Sequence, residues 1–351
     1  MKIYSFFNPK RTAFWIHLAL MTIVIGACVT HFAGVQGELH LRADKAQTVT
    51  VREQSVSLFL WDFRIIADAE GNPADYLSEL RLLDRSQAEM AIDTGFVRMN
   101  KPLKYHGFRF CQSDYDSDLQ GVFFAYNYDP WGIGITYAGY AMLLVAMIAF
   151  FFDSRTRFRA LLKSLATQWP YSKALLQWSG LAAIAVIIIL ALVMTKVVTP
   201  KPPLQPVLQT PLLGIHVSVI MLAYTLFAII AINGVLGLCV AQWRERLMAV
   251  SQVLLYPALF CLTTGIFIGA VWANMSWGRY WGWDPKETWA LITMIVYAGL
   301  LHLPMMVSHK TAVSSPKYRT VYHLACIVAF FFVLFTYFGV SYLLGGLHSY
   351  A

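Results

Sequence analysis

Seven long apolar stretches constrain the fold of this chain more than any other feature of its sequence. A helix needs about 20 apolar residues to cross the hydrocarbon core of a bilayer, and each stretch reaches roughly that length. The predicted spans are residues 13–33, 133–152, 174–194, 212–231, 250–271, 289–307 and 323–344. Because 58% of the residues are hydrophobic and only 13% are charged, the chain lacks the polar surface of a water-soluble protein of this size.

Basic residues collect on one side of these predicted spans. The short segments on the other side, 197–211 and 274–288, hold only Lys201, Arg279 and Lys286. Since lysine and arginine mark cytoplasmic segments, we predict a cytoplasmic N-terminus and an extracytoplasmic C-terminus. The first span has the full width of a bilayer and no evident cleavage site after it, so we do not expect a cleaved signal. The net charge of +8 then indicates membrane lipids, and no nucleic acid, as partners.

The segment from 34 to 130 is the one long polar region, and it is predicted to face outward. Alternating runs such as QTVTVREQSVSLFLWDFRI and YHGFRFCQSDYD predict short strands, with turns at Gly71-Asn72-Pro73 and Thr94-Gly95. The predicted fold class is therefore an α-helical polytopic membrane protein of about seven transmembrane helices. An extracytoplasmic β-rich domain is inserted between the first two.

Two linkers and the cysteines add smaller constraints. The basic segment 153–173 mixes arginines with leucines, which fits either a helix in the headgroup layer or an ordinary loop. The proline-rich segment 197–210 is expected to be extended and stiff. The five cysteines form no CxxC or CxxCH motif, which argues against a dithiol redox centre and against haem attached covalently to this chain.

The stretch between the fifth and sixth predicted spans is unusually rich in tryptophan. Residues 272–289, WANMSWGRYWGWDPKETW, hold five of the eleven tryptophans of the chain. Tryptophan is common at membrane interfaces, yet this does not account for Trp277, Trp281 and Trp283 interleaved with glycines in a short loop. Glycine lets backbone approach a ligand closely, and indole rings offer a broad apolar face. We expect the loop to bind a flat hydrophobic molecule.

Charged residues accompany these tryptophans. Asp284, Pro285 and Glu287 predict a capping box at the start of the sixth span. Arg279 and Lys286 are candidates to pair with carboxylates on the bound molecule. A flat apolar ring system edged by carboxylates describes haem.

Two pairs of histidines are candidate ligands for haem iron, which imidazole binds well. His216, near the outer end of the fourth span, and His348, directly after the seventh, are expected at the depth of the tryptophan loop. His17 and His302 share a depth near the inner ends of the first and sixth spans, where ionisable residues are uncommon and usually functional. His31, at the outer end of the first span, competes with His17 for the role in that helix.

Three motifs together resemble a known family. The segments WGRYWGWDPKETWALI at 277–292, LLGIHVSVIMLAYTLF at 212–227 and LFTYFGVSYLLGGLHSYA at 334–351 resemble the haem-handling WWD family, above all the CcsA (ResC) component of the System II cytochrome c synthase. Upstream, GVQGELHLR and the span WGIGITYAGYAMLLVAMIAFFF look like a shortened CcsB (ResB) partner. The whole chain thus resembles a compact CcsBA fusion.

This resemblance implies a division of the chain into three parts. Residues 1–152 would be the CcsB/ResB-like part, 153–204 a basic linker with one span and a proline-rich outer segment, and 205–351 the CcsA/ResC-like part with its WWD loop at 272–289. It also implies that haem b is bound as substrate between two histidines at each site. The residues implied at the outer site are His216, His348, Trp272, Trp277, Trp281, Trp283 and Asp284; His17 and His302 are implied at the inner one.

The implied function is cytochrome c maturation in the bacterial plasma membrane. Haem would pass to the outer face and be joined by thioether bonds to the CxxCH motif of apocytochrome c, which makes the protein a holocytochrome c synthase. Thiol reductant proteins would be further partners. Two alternatives remain open at this point: a haem exporter or carrier without ligation activity, and a diheme b-type protein that transfers electrons from quinol.

Overall fold

The computed structural model describes residues 11–83, 91–168, 205–306 and 315–344. Within these ranges six helices are long and apolar enough to cross a membrane. The third predicted span, 174–194, and His348 lie outside the described residues. A β-rich domain is inserted between the first two long helices, so the predicted class of a polytopic helical membrane protein with an inserted β-rich domain is confirmed.

Each long helix covers one predicted apolar stretch, and several begin or end some residues beyond it. α1 has no Asp, Glu, Lys or Arg over its 22 residues and is about 33 Å long at 1.5 Å per residue. The helices are α1 Thr12–Ala33, α2 Gly132–Phe152, α3 Arg157–Gln168, α4 Pro211–Cys239, α5 Arg244–Ser276, α6 Pro285–Met306 and α7 Pro316–Leu334. A π-helical turn, Phe335–Gly339, continues α7 into the short α8, Val340–Leu343.

The inserted domain is a sandwich of two four-stranded antiparallel sheets. One sheet has the order β1-β8-β7-β6 and the other β2-β3-β4-β5. Inward-facing side chains such as Leu58, Leu80, Phe110 and Phe124 fill the space between the sheets. The strands are β1 Val35–Arg42, β2 Gln47–Val51, β3 Gln54–Ala67, β4 Pro73–Leu83, β5 Ala91–Arg98, β6 Leu103–Tyr105, β7 Phe108–Tyr115 and β8 Gly121–Tyr128.

One predicted turn in this domain is wrong. Gly71 does form a turn between β3 and β4, with the positive φ of 85° that glycine adopts at little cost. Thr94 and Gly95 instead lie inside β5, where Gly95 pairs with Leu80. The Leu103 side chain packs in the space that a β-carbon on Gly95 would fill, so this glycine provides room for a neighbour.

The basic linker forms a helix, as one of its two interpretations expected. In α3, Leu165 is buried and Phe158, Leu161 and Leu162 pack against the helical core. Much of the apolar side of α3 is therefore covered by protein. The sequence did not predict this packing, because leucines on one side of a helix can face either lipid or a neighbouring helix.

Small residues hold α1 and α2 close together below the sandwich. A β-carbon on Gly26 would collide with Thr136, and one on Gly132 would collide with Thr30. Such small-residue contacts are a common way for membrane helices to approach each other. Because α1 ends and α2 begins at the sandwich, we call this the sandwich end of the helix bundle and the other the distal end.

Candidate functional site

The tryptophan-rich segment forms a loop between α5 and α6 at the sandwich end. Its irregular part spans only residues 277–284, since α5 continues to Ser276 and α6 begins at Pro285. The predicted capping box is present: Asp284 accepts a hydrogen bond from the backbone N–H of Lys286 at 3.0 Å, and Glu287 accepts one from the N–H of Asp284 at 3.2 Å. The same Glu287 carboxylate also accepts from the Gly282 N–H at 2.8 Å, so one residue shapes both the helix start and the loop.

The tryptophans of this segment divide into buried and exposed ones. Trp272 lies within α5, only 2% exposed, with its ring centroid 4.8 Å from that of Trp277. Trp272 therefore supports the loop from inside the bundle, and its ring has no face open to a ligand. Trp281 and Trp283 form an edge-to-face pair at 5.9 Å, and Trp283 is 70% exposed. The open aromatic surface of the loop thus centres on Trp283.

Residues of the sandwich form hydrogen bonds with the start of the loop and the end of α5. Asn127 on β8 donates a hydrogen bond to the Gly278 carbonyl at 3.1 Å, and Arg109 on β7 donates one to the Asn274 carbonyl at 3.3 Å. Asn100, after β5, accepts a hydrogen bond from Ser276. The backbone on both sides of Trp277 is therefore fixed by the β-rich domain.

A chain of hydroxyl groups joins the middle of the loop to α1 and α2. Thr136 donates to the Tyr280 hydroxyl at 3.3 Å, Tyr280 donates to Thr30 at 2.9 Å, and Thr30 donates to Asp129 at 2.6 Å. Asp129 also accepts from the N–H of Gly132 at the start of α2. The loop is thus anchored to the first two helices as well as to the sandwich.

His216 lies at the sandwich end, five residues after the start of α4. Its Nδ1 is 2.7 Å from the Gly265 carbonyl of α5, and since a carbonyl only accepts, Nδ1 carries the proton and Nε2 is the nitrogen able to bind a metal. The ring packs so closely on α5 that a β-carbon on Gly269 would overlap it. Gly269 precedes Trp272 by about one helical turn. His216 therefore lies directly beneath Trp272 and the tryptophan loop.

The end of the last helix, with its π turn and α8, lies near the start of α6 and next to α4. Tyr337 in the π turn has its ring 6.3 Å from Tyr224 of α4, and Lys286 at the start of α6 donates to Ser341 at 3.0 Å. The last residue that the structure describes is Leu344, four residues before His348. π turns often occur at functional sites, and this one leads into the segment that carries the predicted second ligand.

His17 and His302 meet near the distal end, as predicted from their shared depth. Their ring centroids are 6.2 Å apart and their planes lie at 85°. Each Nδ1 is within 2.8 Å of the carbonyl four residues earlier in its own helix, that of Ala13 or Ala298. Two imidazoles on opposite sides of one metal ion have centroids about 6 Å apart, because each metal–nitrogen bond is about 2 Å long. The spacing and the tautomers both suit ligation of one iron atom.

These two histidines line a cavity of about 940 Å³. This volume is in the range of about 300–1,000 Å³ that is usual for small-molecule sites. The wall is mostly apolar, and arginines stand at its distal rim. Its apolar side chains include Leu20, Leu143, Met147, Phe150, Phe260 and Met294, and its arginines are Arg11, Arg155 and Arg157. An apolar wall with a cationic rim matches the polarity of haem.

His31 lies far from the pair formed by His17 and His302. It lies 14 residues after His17 in α1, about 21 Å along the helix at 1.5 Å per residue, and its ring packs edge-to-face against the exposed Phe32. The geometry therefore favours His17 over His31 as the partner of His302.

Several residues of this region were not foreseen. Asn100, Arg109 and Asn127 belong to strands or turns far from the loop in sequence, and no local pattern distinguishes them. Tyr280 stands at the centre of WGRYWGW, where an aromatic residue with a hydroxyl among tryptophans was the available signal. Lys286, predicted to pair with a ligand carboxylate, donates a hydrogen bond to Ser341, a contact that the sequence did not indicate.

Comparison with known proteins places this chain among cytochrome c assembly factors. The model of the family described as "Cytochrome C assembly protein" matches residues 141–348, and that of the "ResB-like family" matches residues 10–130. Protein NrfI of Wolinella succinogenes is 39% identical over 160 residues, 42% of this chain and 17% of NrfI. Cytochrome c biogenesis protein CcsA of Chlamydomonas reinhardtii is 36% identical over 159 residues, 42% of this chain and 43% of CcsA.

A third relative gives the same result. CcsA of Guillardia theta is 34% identical over 178 residues, 42% of this chain and 56% of that protein. The chain thus spans less than two thirds of the length of each of these curated relatives. Since the first family match covers more than half of its residues, this multi-pass membrane protein belongs to the cytochrome c assembly protein family.

Proposed function

We propose that this protein carries haem between two sites in the helix bundle and presents it for covalent attachment to apocytochrome c. The observation that carries this proposal is the apposition of His17 and His302, 6.2 Å apart in an apolar cavity. Helices α1 and α6 bring these imidazoles together from opposite ends of the sequence. A purely structural pair of histidines would need no cavity of this size beside it.

The distal site is the entry point in this proposal. Backbone carbonyls hold both Nδ1–H groups, which orients the rings and makes each imidazole a better ligand. Ligation by both histidines saturates the iron, so oxygen has no open coordination position there. The distribution of lysine and arginine supports a cytoplasmic distal end, and haem would enter from that side.

The tryptophan loop is the exit site. His216 and, from the segment beyond Leu344, His348 would bind the iron, while Trp277, Trp281 and Trp283 cover the porphyrin face. The contacts of the loop with the sandwich and with α1 and α2 support a preorganised surface, since they restrain the backbone before haem arrives. Positioning of this kind lowers a reaction barrier without any nucleophile from the protein.

Attachment needs chemistry that only the substrates supply. Each thiol of a CxxCH motif adds across one haem vinyl group: the sulfur bonds to one carbon, the hydrogen to the other, and a thioether forms with no net oxidation. The thiols must arrive reduced, which implies a thiol reductant protein. The histidine of the motif would then displace one ligand of the synthase and release the product.

Ligation distinguishes this proposal from a simple haem exporter. A carrier would need the two sites but not a β-rich domain fixed to the loop by Asn127, Arg109 and Asn100. That domain stands beside the exit site, where an unfolded apocytochrome would have to be presented. The arrangement therefore favours a synthase.

Co-expression with a CxxCH reporter tests the function directly. The host must lack its own cytochrome c maturation system, and a reporter with both cysteines changed to serine serves as control. Covalent haem on the reporter, seen by haem stain after denaturation, is the expected result. If the reporter carries none while the protein is stably inserted and contains haem, the protein is a carrier.

A further inference from the structure

Arg157 occupies an unusual position at the first residue of α3. It is partly buried and lines the cavity that contains His17 and His302. It also lines a small adjoining space with Tyr256 and Tyr322. A cation in such a place, next to apolar side chains, is costly unless an anion accompanies it.

The protein itself supplies little negative charge there. Among the described residues that line the cavity, Asp153 is the one carboxylate, and it accepts hydrogen bonds from Arg155 at 3.0 Å and from Thr12 at 3.3 Å. The first turn of α3 has no acidic residue. Within the described part of the chain, no carboxylate oxygen lies within 4 Å of a guanidinium nitrogen of Arg157. Three arginines therefore face one carboxylate at the rim of the cavity.

The rim lies at a suitable distance from the histidines. Arg11 precedes His17 by six residues, about 9 Å along the helix axis at 1.5 Å per residue. Thr12 bonds to Asp153, so the start of α1 and the segment leading to Arg157 share one level. A porphyrin with its iron between His17 and His302 would reach this level with one edge.

We infer that Arg157, together with Arg11, binds the propionate carboxylates of haem in the distal site. The inference rests on the proposed function, since it assumes that haem is the occupant. Guanidinium and carboxylate groups pair with directional, charge-assisted hydrogen bonds, so Arg157 orients the porphyrin as well as holding it. The vinyl-bearing edge then points away from the rim, into the apolar part of the cavity and toward the sandwich end.

Haem and its dimethyl ester are the probes for a test, because the ester removes both carboxylates and leaves the iron unchanged. The purified full-length protein is titrated with each, and the dissociation constant is read from the absorption band of bis-imidazole haem. A His216→Ala background removes binding at the exit site. Haem is expected to bind at least tenfold more tightly than the ester, and Arg157→Gln to bring that ratio close to one.

Matched variants separate the possible outcomes. Arg159→Gln removes the same charge two residues later on an exposed position outside the cavity, and it should keep the preference for haem over the ester. Equal affinity of the Arg157-containing protein for the two probes would overturn the inference even if Arg157→Gln folds poorly. Unchanged haem binding in His17→Ala would instead overturn the proposed site itself.

Discussion

The hydroxyl of Tyr280 donates a 2.9 Å hydrogen bond to Thr30, a residue 250 positions earlier in the chain. This bond joins the centre of the tryptophan loop to the first membrane helix, which belongs to the segment matched by the ResB-like family. Thr30 in turn donates a hydrogen bond to Asp129, which directly follows β8 of the sandwich. The two family segments of this chain therefore meet in a shared hydrogen-bond network directly behind the proposed exit site.

We expect Tyr280→Phe to loosen the loop without affecting the distal site. The change removes one hydroxyl and leaves Thr30 and Thr136 without this partner, at a cost of about 1 kcal/mol. The reporter should acquire several-fold less covalent haem, while the spectrum of haem bound at His17 and His302 stays the same. Tyr342→Phe is the control, since Tyr342 is 77% exposed. Equal yields of covalent haem on the reporter for the two variants would show that this hydrogen bond has no part in presenting haem to the apocytochrome.

Gly278→Ala should be more damaging than an ordinary glycine substitution. Gly278 has φ of +75°, where a side chain is strained, and its β-carbon would lie 3.2 Å from the Cys111 sulfur. We expect a loss of about 1 kcal/mol or more in stability of the loop and a clear fall in reporter haem.

Gly134→Ala is the matched control for this change. A β-carbon on Gly134, in α2, would contact no other part of the protein within 4 Å beyond its own helix backbone, and alanine is favoured over glycine in a helix by about 1 kcal/mol. Thermal unfolding of the detergent-solubilised proteins should show a lower midpoint for Gly278→Ala only. A midpoint for Gly278→Ala at or above that of Gly134→Ala would contradict the strain argument.

Cys111 should be chemically inert although it lies beneath the loop. Burial raises the pKa of its thiol to about 12, with Arg109 opposing part of this shift. The thiolate is the reactive form, so alkylation at pH 8 should be about a thousandfold slower than for an exposed cysteine. The rate should then rise about a hundredfold between pH 8 and pH 10, because the thiolate fraction grows tenfold per pH unit below the pKa.

A variant that keeps only Cys111 allows this to be measured with a maleimide. The same protein denatured in detergent supplies the rate for the accessible thiol. Fast labelling of the folded protein at pH 8 would show that the thiol is open to solvent. Inertness is consistent with the proposal that the reacting thiols come from the substrate alone.

The membrane helices could be located from sequence because lipid leaves few alternatives. A segment inside a bilayer must satisfy its backbone hydrogen bonds internally, so an apolar stretch of sufficient length forms a helix, and α1 differs from its predicted bounds by one residue. The prediction fails at the ends. α5 was expected over 250–271 but extends to Arg244–Ser276, since its polar ends are held by Arg319 at one side and by the sandwich at the other.

The histidine pair could be predicted, but the anchoring of the loop could not. His17 and His302 follow from simple depth arithmetic along two helices, and the capping box at Asp284 is encoded within four consecutive residues. The bond between Asn127 and Gly278 joins residues 151 positions apart. It depends on how the sandwich is seated on the bundle, and the strand pattern around Asn127 contains no information about that.

The haem content of two purified variants tests the central claim, transfer from the distal site to the loop, most directly. Absorption spectra are recorded for His17→Ala and His216→Ala, with His31→Ala as the control for loss of a histidine from α1. The account predicts that His17→Ala lacks haem at both sites, whereas His216→Ala retains bis-imidazole haem at the distal site and His31→Ala resembles the unaltered protein. A His17→Ala protein filled with haem as completely as the unaltered one, or a His216→Ala protein with none, would contradict it.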